Sequence, residues 1–143
     1  MIMRDTQRKG DIAVSRAIAT FTKAGFDVSL PITESAAYDL IIDTNEGLKR
    51  VQVRFTSTGE VDLRRIHSNS KGYVIKKTKP NSYDWLYILT AQDKEYLLKE
   101  CLTRRSFKPN SNHILDKIFT TSNLLLNLKN PPLYDKNNFG GVG

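Results

Sequence analysis

The sequence predicts an α+β domain, or a mixed α/β arrangement of the same elements. Three observations carry this. An amphipathic helical stretch opens the chain, and apolar runs of strand length and strand periodicity fill the middle. Short apolar segments preceded by capping residues follow near the end.

The first element is "TQRKGDIAVSRAIATFTKAGF". Ile12, Ala13, Ser15, Ile18, Ala19, Phe21 and Thr22 form a patchy helical stripe, with Lys9, Arg16 and Lys23 outside it. Gly25 stands where a C-terminal cap belongs. "DVSL" reads as a short strand stopped by Pro31, and "ITESAA" as a polar connection.

"YDLIIDT" and "LKRVQVRFTS" read as two strands joined around "NEG", a hairpin centred on Glu46. Alternation places Asp39, Ile41 and Asp43 on one face of the first strand. On the second it groups Gln52, Arg54 and Thr56, with Val51, Val53 and Phe55 on the other side. "GEVDLRRIHSNSKGYVIKK" reads as a strand, a polar loop and a return strand. "YDWLYILT" is the most apolar run and is expected to be central or well covered, turning through "AQDK" into "EYLLKE". Tyr83, Trp85, Tyr87 and Tyr96 are expected to pack in the core. "NHILDKIF" and "SNLLLNL" are expected as short helices. "KNPPLYDKNNFGGVG" is too rich in Pro, Asn and Gly for regular structure. The expected organisation is one domain over residues 1–130 and a tail or arm over 131–143.

Composition narrows the class. One cysteine, Cys101, excludes an internal disulfide and a cysteine zinc cage, and a lone thiol suits the cytosol. His67 and His113 have no ligand-spaced partners, so neither is expected in a structural metal site. No apolar run reaches the roughly 20 residues of a membrane span, and "MIMRDTQRKGD" lacks the apolar core of a signal peptide. A net charge of +7 favours a polyanionic partner, nucleic acid being the commonest.

The hairpin is where chemistry collects. Strand pairing would bring Asp39 opposite the neighbourhood of Gln52 to Arg54, with neighbours about 5 Å apart. Metal-dependent phosphodiester cleavage needs oxygen ligands for Mg²⁺ and a cation near the phosphate. Asp39 would hold the metal, the Gln52 carbonyl would be a neutral ligand, and Arg54 would face the scissile phosphate. An ordinary half-solvated strand gives the same short pattern.

The combination "KGDIAVSRAIATFTKAGFDVSLP…YDLIID…RVQVRF" resembles the PD-(D/E)XK nuclease superfamily, and more closely its small intron-encoded homing endonucleases with a QxK variant. The similarity runs over residues 9–55, with a weaker echo in "YDWLYILTAQDKEYLL". The resemblance implies a restriction-endonuclease-like central mixed sheet flanked by helices, Mg²⁺ dependence (with Mn²⁺ as a substitute) and a symmetric homo-oligomer, a dimer or a tetramer. It places the family aspartate on Asp39, the glutamine on Gln52 and the catalytic lysine on Arg54, with the metal between Asp39 and the main chain of Val53. Two positions depart from the pattern. Arg54 keeps the charge but cannot carry a proton, and Val14 stands where a glutamate is expected. Asp11, one turn earlier, is the substitute acid that the sequence offers.

Between residues 64 and 80 six lysines or arginines occur without an acid: Arg64, Arg65, Lys71, Lys76, Lys77 and Lys79. They are interleaved with His67, Asn69 and Tyr73, and a two-stranded ribbon of this kind fits the DNA major groove. Lys9, Arg16, Arg104, Arg105 and Lys108 are the expected phosphate contacts. The functional expectation is a sequence-specific, Mg²⁺-dependent endonuclease of the homing type acting on double-stranded DNA. The alternatives are a DNA-binding relative with impaired cleavage and a basic RNA-associated protein.

Overall fold

The computed structural model describes residues 2–69 and 72–116. The expected helix over "SNLLLNL" and the tail lie outside them. One long helix packs on one face of a five-stranded mixed sheet. The elements are α1 (Ile2–Lys23), β1 (Asp27–Ser29), β2 (Leu40–Thr44), β3 (Gly47–Thr56), β4 (Val61–Asp62), β5 (Arg65–Asn69), β6 (Gly72–Lys76), β7 (Trp85–Thr90), β8 (Glu95–Leu98) and β9 (Ser106–Phe107).

Helix α1 begins four residues earlier than the sequence pattern suggested, and its buried stripe is narrower. Ala13, Ala17 and Phe21 are fully buried, with Val14 and Ile18 beside them. Ile12 is 49% exposed, and Ser15, Ala19 and Thr22 also face solvent. The expected stripe thus mixed two faces, because small residues at neighbouring positions gave no clear phase. The small alanines let the helix lie close to the sheet, while Phe21 fills the space against Trp85 and Tyr87. Burying Phe21 contributes about 2 to 3 kcal/mol.

Gly25 ends the helix as expected, at φ +97°. Its N–H donates to the Thr22 carbonyl, and the Phe26 N–H donates back to the Phe21 carbonyl, each at 3.0 Å. These paired bonds satisfy the last carbonyls of the helix, and the Phe21–Phe26 ring contact seals the turn.

The sheet runs β1-β2-β3-β7-β8. β1–β2, β2–β3 and β7–β8 are antiparallel, while the central pair β3–β7 is parallel. All six residues of β7 are buried, so "YDWLYILT" is well covered as predicted, although the middle strand of the five is β3. Its two faces serve two cores. Trp85, Tyr87 and Leu89 face α1 together with Leu40, Ile42, Val51 and Val53. Leu86 and Ile88 pack on the other side with Val61, Leu63, Tyr83, Leu98 and Leu102, and Tyr96 and Cys101 lie against that second cluster.

Glu95 ties the helix to the sheet. It accepts hydrogen bonds from the hydroxyls of Thr20 and Tyr87, both at 2.6 Å, and pairs with Arg16 at 3.3 Å. Burial and the neighbouring carboxylate raise the pKa of the Tyr87 phenol, so it stays a donor.

The β2–β3 turn is tighter than expected. Thr44 pairs with Gly47, leaving only Asn45 and Glu46 in the loop. Thr44 Oγ1 accepts the Glu46 N–H and donates to the Gly47 carbonyl, and Gly47 takes φ +108°. A positive φ there needs glycine, which turns the "NEG" link into a two-residue loop.

The crossover from β3 to β7 carries a separate two-stranded ribbon, β5–β6, in which Arg65 pairs with Lys76, His67 with Val74 and Asn69 with Gly72. At its base the Thr78 hydroxyl donates to the Leu63 carbonyl at 2.7 Å. "NHILDKIF" opens differently from the expected helix: Ser111–His113 is a single 3₁₀ turn capped by Asn110, after which Ile114 bridges to Tyr96. His113 Nδ1 accepts the Asn110 N–H, which gives this histidine a local structural role.

Candidate active site

The β2–β3 ladder ends at the Leu40–Val51 pair, while β3 continues to Thr56. The Asp39 N–H still donates to the Val51 carbonyl at 2.8 Å. The next donor along this edge of β3 is the Val53 N–H, and it meets the Asp39 carboxylate, Oδ2, at 2.8 Å. A side chain thus completes the ladder where the partner strand departs. The same oxygen accepts the Gln52 Nε2 at 2.7 Å. Gln52 is 7% exposed and its amide also approaches the Val53 carbonyl at 3.5 Å. Arg54 Nη1 donates to that carbonyl at 3.1 Å.

Asp39, Gln52, Val53 and Arg54 therefore meet at one point, as the sequence reading required. Gln52 and Arg54 sit on the face turned away from α1, in register with Leu86 and Ile88. Burial raises the pKa of Tyr83 on this face, while the positive charge of Arg54 opposes that rise.

The site's setting is held by residues that the sequence reading did not single out. Arg50 and Asp84 form an ion pair at 3.1 Å, and Asp84 Oδ2 also accepts the Arg50 main-chain N–H at 2.8 Å. The Arg50 guanidinium lies over the Tyr38 ring at 5.9 Å, one residue before Asp39. The Asp84 pKa is lowered, chiefly by the hydrogen bond from Arg50, so it remains a carboxylate. No local pattern announces this pair; it arises from the parallel β3–β7 contact between segments 34 residues apart.

The two departures on α1 and β3 have different settings. Val14 packs against the apolar core. Asp11 is exposed and lines an open groove of about 600 Å³ with Gln7, Arg8, Ile12 and Ser15. Lys9 Nζ lies 5.8 Å from the centre of the Phe55 ring, beside Arg54 in the chain.

Other basic residues expected to meet phosphate divide into paired and open ones. Arg16 is engaged with Glu95 and, at 3.9 Å, with Asp93, so its charge serves the helix–sheet contact. Arg64 is held bidentate by Asp62, at 3.0 and 2.8 Å. The acid-free run thus begins next to a neutralising carboxylate two residues upstream. Lys76, Lys77, Lys79, Arg104, Arg105 and Lys108 are exposed. Arg65, His67, Asn69 and Tyr73 are placed by the ribbon register, and Lys71 lies outside the described residues.

Among the described residues no three His, Cys, Asp or Glu side chains cluster as a metal site, and no helix is long and apolar enough to cross a membrane. The oxygen donors at the hairpin do suit a hard cation: one carboxylate, one main-chain carbonyl and, with the amide turned over, the Gln52 Oε1.

The architecture resembles a solved structure, that of the bacterial homing endonuclease I-Ssp6803I, with a TM-score of 0.63 and 25% sequence identity over 81% of this chain and 92% of that one. No curated protein matches the chain significantly. The family model for PD-(D/E)XK endonucleases matches residues 4–105, which include the whole hairpin, the ribbon and the central strand pair. The chain belongs to the PD-(D/E)XK endonuclease family.

Proposed function

We propose that the protein is a sequence-specific endonuclease of double-stranded DNA, of the homing type, whose hydrolytic site is formed by Asp39, Gln52 and Arg54. The observation that carries this reading is the Asp39 carboxylate held across the end of the hairpin by Val53 and Gln52, with the Arg54 guanidinium at the same carbonyl. Family membership and the likeness to a homing endonuclease support it.

Asp39, the Val53 carbonyl and the turned Gln52 amide would hold Mg²⁺ or Mn²⁺. The ion, when bound, supplies Lewis-acid polarisation of the phosphate and acidifies a water. Arg54 binds the non-bridging phosphate oxygens and stabilises the charge that builds on them during in-line attack. A guanidinium stays protonated throughout the working pH range and is a fixed cation, so the proton leaving the water goes to solvent or to the phosphate. Double-strand cleavage needs two such sites, which a symmetric homo-oligomer supplies.

A second reading, a DNA-binding relative with impaired cleavage, is favoured by Val14, which packs in the core where an acid is expected. Plasmid carrying a bound sequence, incubated with the full chain in Mg²⁺ or Mn²⁺, separates the two. Nicks or breaks from the wild type, and binding without cutting by Asp39→Ala, support the enzyme. Tight binding with intact DNA from both supports the second reading, and preference for structured RNA over duplex at physiological salt overturns both.

A further inference from the structure

The ribbon register assigns its residues to two chemically different faces. Pairing of Arg65 with Lys76, His67 with Val74 and Asn69 with Gly72 puts these six positions on one face. Ile66 with Ile75 and Ser68 with Tyr73 make up the other. The first face carries every charged, imidazole or amide residue of the two strands, nearly all of them on β5. Opposite them β6 presents a valine and a glycine toward the tip. Gly72 has open space where a Cβ would stand.

Resting on the DNA-endonuclease reading, we infer that Arg65, His67 and Asn69 of β5 are the base-reading residues and that they read positions about two base pairs apart. The spacing follows from strand geometry. Residues two apart on one strand face are separated by about 6.7 Å, against a rise of ~3.4 Å per base pair. The chemistry follows from groove edges: arginine donates to guanine O6 and N7, asparagine pairs with adenine N6 and N7, and histidine donates to one acceptor. On this face β6 contributes only Val74 and Gly72 beyond Lys76, so the imidazole and amide groups that can hydrogen-bond base edges there belong to β5. The opposite face has an isoleucine pair, and Ile75 there is 55% exposed. Aliphatic side chains read only a thymine methyl, so the isoleucine pair contributes little discrimination.

The test is a binding selection from random-sequence duplexes with the full chain in EDTA, which makes the readout independent of hydrolysis. The expected result is a wild-type motif that loses one position in each of Arg65→Ala, His67→Ala and Asn69→Ala. The three lost positions lie about two base pairs apart, each with a roughly tenfold drop in preference. Ile66→Thr and Ile75→Thr leave the motif intact, and affinity for unrelated duplex, measured alongside, confirms that each variant is folded. A motif insensitive to the three β5 substitutions, or erased by those on the isoleucine face, overturns this inference alone. A wild type that enriches no motif overturns the sequence-specific reading itself.

Discussion

Oδ2 of Asp39 accepts two hydrogen bonds from β3, one from the Gln52 side chain at 2.7 Å and one from the Val53 main chain at 2.8 Å. This carboxylate is therefore a structural splice as well as a candidate ligand. The two roles respond differently to substitution.

Gln52→Glu would set a second carboxylate against Asp39 and remove the donated hydrogen bond. The unloaded protein should lose stability by about 1 to 3 kcal/mol. Mg²⁺ should restore more of the Tm in this variant than it adds to the wild type, because the ion relieves the repulsion. Thermal unfolding in EDTA and in Mg²⁺ checks both halves, and equal Mg²⁺ responses would remove Gln52 from the metal site.

Arg54→Lys places a titratable ammonium where a fixed cation stands. Single-turnover cleavage should rise by roughly tenfold or more, and the pH–rate profile should gain a second ionisation, that of the lysine, which is absent from the wild-type profile. Val14→Glu alone should lower Tm, since Val14 packs against the apolar cluster and an unpaired carboxylate there is costly. Rate and melting measurements on the two single variants and the double variant separate chemistry from packing.

Tyr87→Phe deletes the hydroxyl that donates to Glu95 at 2.6 Å. Glu95 retains Thr20 and Arg16, so the expected loss is about 1 kcal/mol in denaturant unfolding. Cleavage should be unchanged, because this network lies on the α1 side of the sheet, away from Gln52.

Acid should reveal the Asp62–Arg64 pair. The hydrogen bond from Arg64 holds the Asp62 carboxyl down at about 2, below its ordinary 3.8. A depressed carboxyl stabilises the fold above its unfolded pKa and loses that contribution as pH falls through the folded one. Asp62→Asn should therefore melt slightly below the wild type at neutral pH, and the gap should close between about pH 4 and pH 2. The pair is exposed, so solvent screens it and the shift is small.

The hairpin is legible in the sequence because period-two alternation and a short Gly-containing link fix its register to within one residue. That register places Asp39 near Gln52, and the two side chains do meet. The splice at Val53 was not legible, since it depends on where β2 leaves β3, which is a matter of chain path. The helix stripe was misphased because Ala13, Ala17 and Ala19 weigh alike in a pattern, although only the first two are buried. The Arg50–Asp84 clamp is not legible, because parallel strands join segments 34 residues apart. Asp62 lies just outside the basic run, which begins at Arg64, so composition over the run does not reveal the pair.

The ribbon leaves the sheet after β3 and rejoins it at β7, the neighbouring parallel strand. Its residues thus form an excursion with both ends fixed side by side, anchored by Thr78 on Leu63. Strands β5 and β6 pair only with each other, so the ribbon can change in sequence without altering the ladder of the five-stranded sheet.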